Sequence, residues 1–169
     1  MGTVFDVIKK RRSIRIFTEQ IIQKEAIIKL LEAASWAPSG KNGQPWKFAV
    51  ITENNKLKRN LSELTVYRNL VKKAPCIILV FLDKSISYDY VKDIQAIGAS
   101  IQNMLLTAHE MGLGTCWIGE ILKSKSKINE ILTIDSIMEL MAAIIVGYTN
   151  SQEVLSSRRN VEESIIMWE

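Results

Sequence analysis

The sequence predicts an α+β domain, a small sheet covered by long helices, and three observations lead there. Residues 90–111 carry Ile94, Ile97, Ile101, Met104, Leu105 and Ala108 at spacings of three and four, which gives a helix one apolar face. PCIILVFLD (75–83) and ELMAAIIVGYT (139–149) are nearly unbroken apolar runs rich in β-branched residues, the pattern of strands buried on both faces. Helices and strands alternate only loosely, and the G-x-G-x-x-G turn of a dinucleotide-binding parallel sheet is missing from the sequence. A G-x-x-x-x-G-K-[ST] phosphate loop and a G-x-S-x-G elbow are missing as well. A chain of 169 residues suggests one domain able to bury a real core.

The elements follow in order. Residues 3–11 read as a short helix with Val4, Val7 and Ile8 on one face. Thr18 is placed to cap a helix over residues 19–36, with Ile21, Ile27, Ile28, Leu31 and Ala34 inward. A polar loop, APSGKNGQPW (37–46), separates that helix from the strand WKFAVIT. NNKLKRNLSEL and VYRNLVKK read as helices before the strand at 75–83. Gly112 and Gly114 stop the long helix. TCWIGE is a short strand or strand end, SKSKINEIL a helix, and 139–149 the final strand. The tail SSRRNVEESIIMWE has no obvious place in a sheet built from one chain.

Composition narrows the classes. The chain is 47% hydrophobic and 24% charged, which is ordinary globular usage. Its longest apolar runs are far too short to cross a bilayer, and residues 1–10 lack the apolar segment of a signal peptide, so a cytoplasmic location is expected. Cys76, Cys116 and the single histidine, His109, offer no zinc site, and a disulfide framework is not expected in a reducing compartment. The net charge of +4 raises nucleic acid as a partner. The Lys and Arg residues are spread along the chain without a nucleic-acid motif, so the charge reads as a solvated surface.

Four segments can carry chemistry. RRSIR (11–15) sets Arg11, Arg12 and Arg15 within five residues, with the Ser13 hydroxyl among them. Guanidinium groups grip phosphate oxygens in pairs, and a hydroxyl adds a further bond. A basic helix end, complementing the helix dipole, explains the same residues. In the 37–46 loop, Pro38 and Pro45 forbid regular structure, Gly40 and Gly43 allow close approach to a ligand, and Ser39, Asn42 and Gln44 supply donors and acceptors for a heterocycle. The alternative is a long surface loop. GLGTCWIGE (112–120) could present backbone N–H groups to a flat ring, or be a well-packed turn around Trp117. Arg158 and Arg159 in SSRRN offer a second cationic pair that carries little weight alone. His109 reads as structural or surface, and Cys116 as a small buried hydrophobe. Anion grips and a heterocycle loop without a dedicated acid, base or nucleophile point to a bound cofactor that carries the chemistry.

Together RRSIR-x-F, APSGKNGQPW, QNMLLTAHEMGLGTCWIGE and VGY followed by SSRRNVEE resemble the FMN-dependent nitroreductase family, across nearly the whole chain and in its order. The resemblance implies a nitroreductase-like α+β fold with a mostly antiparallel sheet. It implies a domain-swapped homodimer with two FMN molecules at the interface, and a tail from about residue 156 that wraps onto the other chain. By matching position, Arg11, Ser13 and Arg158 grip the phosphate, Arg12 contacts the ribityl–phosphate region, and Arg15 approaches the pyrimidine side of the ring. Pro38, Ser39, Gly40, Asn42 and Gln44 come from the partner subunit. Trp117, Ile118, Gly119 and Glu120 lie by the ring, with a backbone N–H near N5. The implied activity is a ping-pong cycle in which NAD(P)H reduces the flavin, and a small electron-poor acceptor, a nitroaromatic or a quinone, reoxidises it.

Several features depart from the family pattern. The chain is short, and the segment between Gly119 and the last strand is compact. Asn160 stands where a proline is common, and Ser156 where some members carry a phosphate-binding lysine. Arg68 or Asn69 would substitute for an Asn-x-x-Lys pair near the pyrimidine. Two other readings compete: a flavin-binding or flavin-sensing protein with little turnover, and a phosphate-backbone binder suggested by the charge.

Overall fold

A computed structural model describes residues 3–151 and 156–169. The central sheet has four strands in the order β1-β2-β4-β3, each pair antiparallel: β1 (Trp46–Ile51), β2 (Cys76–Asp83), β3 (Gly114–Ile118) and β4 (Met138–Gly147). The two central strands are β2 and β4. Every residue of β2 is buried, as its unbroken apolar run requires. A bulge between Val80 and Phe81 shifts the β2–β4 register by one residue.

Alternation along the strands feeds two cores, one on each face of the sheet. Ile78, Val80, Leu82, Ile144 and Val146 pack with Leu30 and Ala34 of α2 (Lys24–Ser35) and Ile97, Ile101 and Met104 of α5 (Tyr90–Glu110). On the other face, Ile77, Leu79, Phe81, Ala143 and Ile145 pack with Leu61 of α3 (Asn55–Ser62), Val71 of α4 (Arg68–Lys72) and Ile128 of α6 (Lys125–Leu132). Each such Leu or Ile contributes roughly 1.5–3 kcal/mol by leaving water.

The helix expected over 19–36 begins only at Lys24. The reason is tertiary. Thr18 N–H donates to Tyr148 O at 2.8 Å, and Thr149 Oγ1 donates to Ile16 O at 2.8 Å, so residues 16–18 are bound to the chain leaving β4. Thr18 therefore caps no helix. Ile21 and Ile28, expected inward, are exposed, while Ile22 is buried in their stead. The helix at the N-terminus, α1 (Val4–Lys10), starts as read, through a capping box in which Thr3 and Asp6 satisfy each other's backbone N–H. Its Val4 and Ile8 are exposed on the single chain.

Candidate functional site

The sequence leaves α1 at Arg11, whose backbone turns to an extended conformation at φ −53°, ψ 133°. Residues 12–14 then run along the free edge of β3. Ser13 bridges Thr115 in parallel, and Ile14 N–H donates to Thr115 O at 2.8 Å. Gly114 permits the approach, because a Cβ there would lie 3.0 Å from the Ile14 side chain. The edge pairing thus fixes RRSIR against the sheet.

Arg11 is half-buried, and its pKa is lowered by burial first, then by the charges of Arg12 and Arg158. Among the described residues no carboxylate forms an ion pair with Arg11 or Arg158. Arg158 donates to Ser157 O at 2.8 Å and to Ser156 Oγ, which holds its fork toward the tail backbone. Arg12 donates to the carbonyls of Lys9 and Arg11, at the C-terminal end of α1. It braces the turn out of the helix. Arg15 is exposed. Burial pushes the Cys116 thiol up, against the charges of Arg15 and Arg11.

Beside this cluster is a cleft of about 230 Å³ lined by Arg11, Arg12, Ile14, His109, Thr115 and Thr149, among others. His109, Thr115 and Thr149 were not singled out for binding from the sequence. Thr115 carries the one available signal, a hydroxyl residue next to a glycine at the start of an apolar strand. His109 stands on the last turn of α5, which the periodicity alone places beside Gly112.

The 37–46 loop lies elsewhere. Pro38, Ser39 and Gly40 border a groove with Gln95 and Ala99 of α5, whereas His109 borders the arginine cleft. From Gln95 to His109 the helix rises about 21 Å, at about 1.5 Å per residue. Within one chain the loop and the arginines therefore face opposite ends of α5. The loop is tightly formed: Ser39 Oγ accepts from Gln44 N–H at 3.0 Å, and Gln44 Nε2 donates to Asn42 O at 3.3 Å. Pro38, Asn42 and Gln44 are exposed.

At the other end of β3, Ile118 is buried, and Trp117, pointing to the opposite face, is 43% exposed. Gly119 is exposed, and a Cβ there would meet only open space. Glu120 opens a 3-10 turn (Glu120–Ser124) and does not extend freely. Its carboxylate accepts from Thr65 Oγ1 at 2.6 Å and from Val66 N–H at 3.2 Å, and pairs with Lys123. Those partners, Lys123 foremost and then Thr65, hold its pKa below the usual glutamate value. The side chain is a brace, which leaves the backbone at 119–120 as the part that could meet a ligand.

Guanidinium groups and a serine hydroxyl on one short segment are the donor set a phosphate monoester requires. The chain matches the model of the nitroreductase family over residues 8–66 and 59–148. It is 32% identical over 156 residues to a protein of Archaeoglobus fulgidus provisionally named an NADH dehydrogenase/NAD(P)H nitroreductase, covering 90% of this chain and 89% of that one. It is 25% identical over 167 residues to a Bacillus subtilis FMN reductase [NAD(P)H], covering 88% of this chain and 66% of that one. Among solved structures it is similar to a provisionally named nitroreductase in complex with FMN from Desulfovibrio desulfuricans, at 40% identity and a TM-score of 0.94, covering 100% of this chain and 98% of that one. The family match, the antiparallel sheet and the four segments read from the sequence agree: the chain belongs to the nitroreductase family.

Proposed function

We propose that the protein is an NAD(P)H-dependent FMN oxidoreductase that works as a homodimer, each flavin held by the arginines of one chain and the 37–46 loop of the other. The observation that carries this reading is the RRSIR segment pinned along the edge of β3, which sets Arg11 and Arg12 on the wall of one cleft beside Thr115, where a phosphate would meet their guanidiniums. When bound, FMN would accept hydride from the nicotinamide and pass it in a ping-pong order to an electron-poor acceptor, a nitroaromatic or a quinone.

The chain's own residues bind and orient. Arg11, Ser13 and Arg158 would hold the phosphate, with Arg12 fixing the turn behind them through the Lys9 and Arg11 carbonyls. Arg15 would supply a fixed cation beside the pyrimidine side of the ring. Gly119 leaves room for a flat ring, and the Glu120 backbone N–H would donate to it while Thr65 and Lys123 keep the carboxylate turned aside. Trp117 and Ile118 would flank the same edge. No protein nucleophile is needed. The homodimer is supported by the separation of loop and arginines along α5, since Pro38, Ser39, Gly40, Asn42 and Gln44 could reach an arginine-held cofactor only from a second copy. The apolar tail, 165–168, exposed on the single chain, would then lie on the partner.

An absorbance spectrum of the purified protein tests the reading. A visible flavin band that bleaches on anaerobic titration with NADH or NADPH is expected. A colourless protein that neither binds added FMN nor supports its reduction would contradict it. A second reading, a flavin holder with little turnover, is favoured by the thin cover after Gly119, where only the 3-10 turn and the eight-residue α6 precede β4. Steady-state NAD(P)H oxidation with a quinone would eliminate that alternative.

A further inference from the structure

Tyr88, in the turn before α5, has its ring laid against Gly40 of the 37–46 loop. A Cβ at Gly40 would lie 2.0 Å from the Tyr88 Oη and 2.5 Å from its Cε1, so only glycine lets ring and loop meet this way. Lys41 Nζ stands 4.8 Å and Lys92 Nζ 5.4 Å from the ring centroid, which puts two cations within cation–π range of one aromatic face system. The turn that carries the ring is fixed from beneath. Asp93, only 2% exposed, accepts from Ser87 Oγ at 2.6 Å, Tyr88 N–H at 3.2 Å and Asp89 N–H at 3.4 Å. A buried carboxylate satisfied by three donors holds its turn rigidly.

The loop on the other side of the contact needs holding. Lys41, Asn42 and Gln44 adopt φ of 54°, 54° and 47°, the left-handed region that residues with a Cβ disfavour. The bonds of its left-handed middle, Asn42 N–H to Ser39 O and Gly43 N–H to Gly40 O at 3.0 Å each, close it locally. Pro45 O at the far end accepts from Asp83 N–H at 2.8 Å, and the middle of the loop meets the turn before α5 through the Tyr88 ring on Gly40.

We propose that Tyr88 is a positioning residue for the cofactor site. Laid on Gly40 and fixed through Asp93, it holds the loop in the left-handed form that presents Ser39 and Asn42 to the partner's flavin. This inference rests on the shared FMN site proposed above. A loop already ordered loses less freedom when the ligand arrives, so its anchor acts on affinity without touching the ligand.

Titration of FMN into the full-length protein, read by the visible absorption of the bound flavin, tests it. Tyr88→Leu is expected to weaken FMN binding roughly 10-fold and to shift the bound-flavin spectrum, at a thermal midpoint close to wild type. Tyr88→Phe, which keeps the ring, restores both. Gly40→Ala is expected to weaken binding similarly, and the double variant Gly40→Ala/Tyr88→Leu to be little worse than either alone, because both changes break one contact. Wild-type affinity and spectrum in Tyr88→Leu, or effects of the two changes that multiply in full, would overturn the proposal while leaving the oxidoreductase reading intact. Failure of the wild-type protein to bind FMN would overturn both.

Discussion

At the scale of single residues, the charges around Arg11 set the expectations for ligand binding. A charge-assisted hydrogen bond to phosphate is worth roughly 1.5–3 kcal/mol, so Arg11→Ala and Arg158→Ala should each weaken FMN retention about 10- to 100-fold in a fluorescence titration. Unchanged affinity in both variants would refute the phosphate assignment. A residue far from that cluster carries a stability prediction. Lys58 is buried, and its Nζ donates to Ala74 O at 2.7 Å and Pro75 O at 3.3 Å, where α4 hands over to β2. Lys58→Ala leaves those carbonyls without their ammonium and should cost about 1–3 kcal/mol in denaturant unfolding. Residue chemistry is legible where it is local: three arginines in five residues raise an anion grip or a basic helix end, and both readings lie within RRSIR itself. The brace formed by Thr65, Val66 and Lys123 around Glu120 was not legible, since 54 or more residues separate Thr65 and Val66 from it in the chain. Nor was the role of Tyr88, a residue that a sequence offers only as one aromatic among others.

At the scale of elements, periodicity located α5, β2 and β4 well because each buries whole faces, and the pattern survives whatever packs on it. It misjudged the start of α2. Residues 16–18 satisfy their backbone against Tyr148 and Thr149, a long-range pairing that no local propensity reveals. That junction depends on Gly147, where a Cβ would lie 2.7 Å from Pro75 Cγ and 2.8 Å from Phe17 Cδ1. Gly147→Ala should therefore force Phe17 or Pro75 aside at a cost of about 1–3 kcal/mol, measurable as a lowered denaturation midpoint. The junction between β3 and α6 carries a pH dependence. Glu120 is held below the usual glutamate pKa by Lys123 and Thr65, so its contribution to stability is complete above the ordinary glutamate value and is lost as pH falls through the depressed one. Thermal midpoints across that acidic window should fall less steeply for Glu120→Gln than for wild type. Parallel profiles would remove the brace from the argument for a fixed backbone at 119–120.

At the scale of the whole molecule, the single chain displays surfaces that suit a partner. Trp36 is 80% and Trp168 84% exposed, with Phe5, Ile166 and Met167 also largely open. Under the proposed homodimer these open side chains are what a second copy would cover. The sequence had already left the tail without a place in its own sheet, and the structure leaves it exposed along 156–169. What the sequence could not supply is the distance between the loop and the arginines, which depends on how α5 lies between them.

Mixed dimers test the shared site most directly. One chain carries Arg11→Ala and the other Ser39→Ala/Asn42→Ala, each homodimer having lost tight FMN binding. In a shared site, one of the two sites of the mixed dimer draws its arginines and its loop from unmutated segments, while the other collects both defects. Equilibrium titration should recover one flavin of wild-type affinity per mixed dimer. If each chain binds flavin with its own arginines and its own loop, every site keeps a defect, and no tight binding returns.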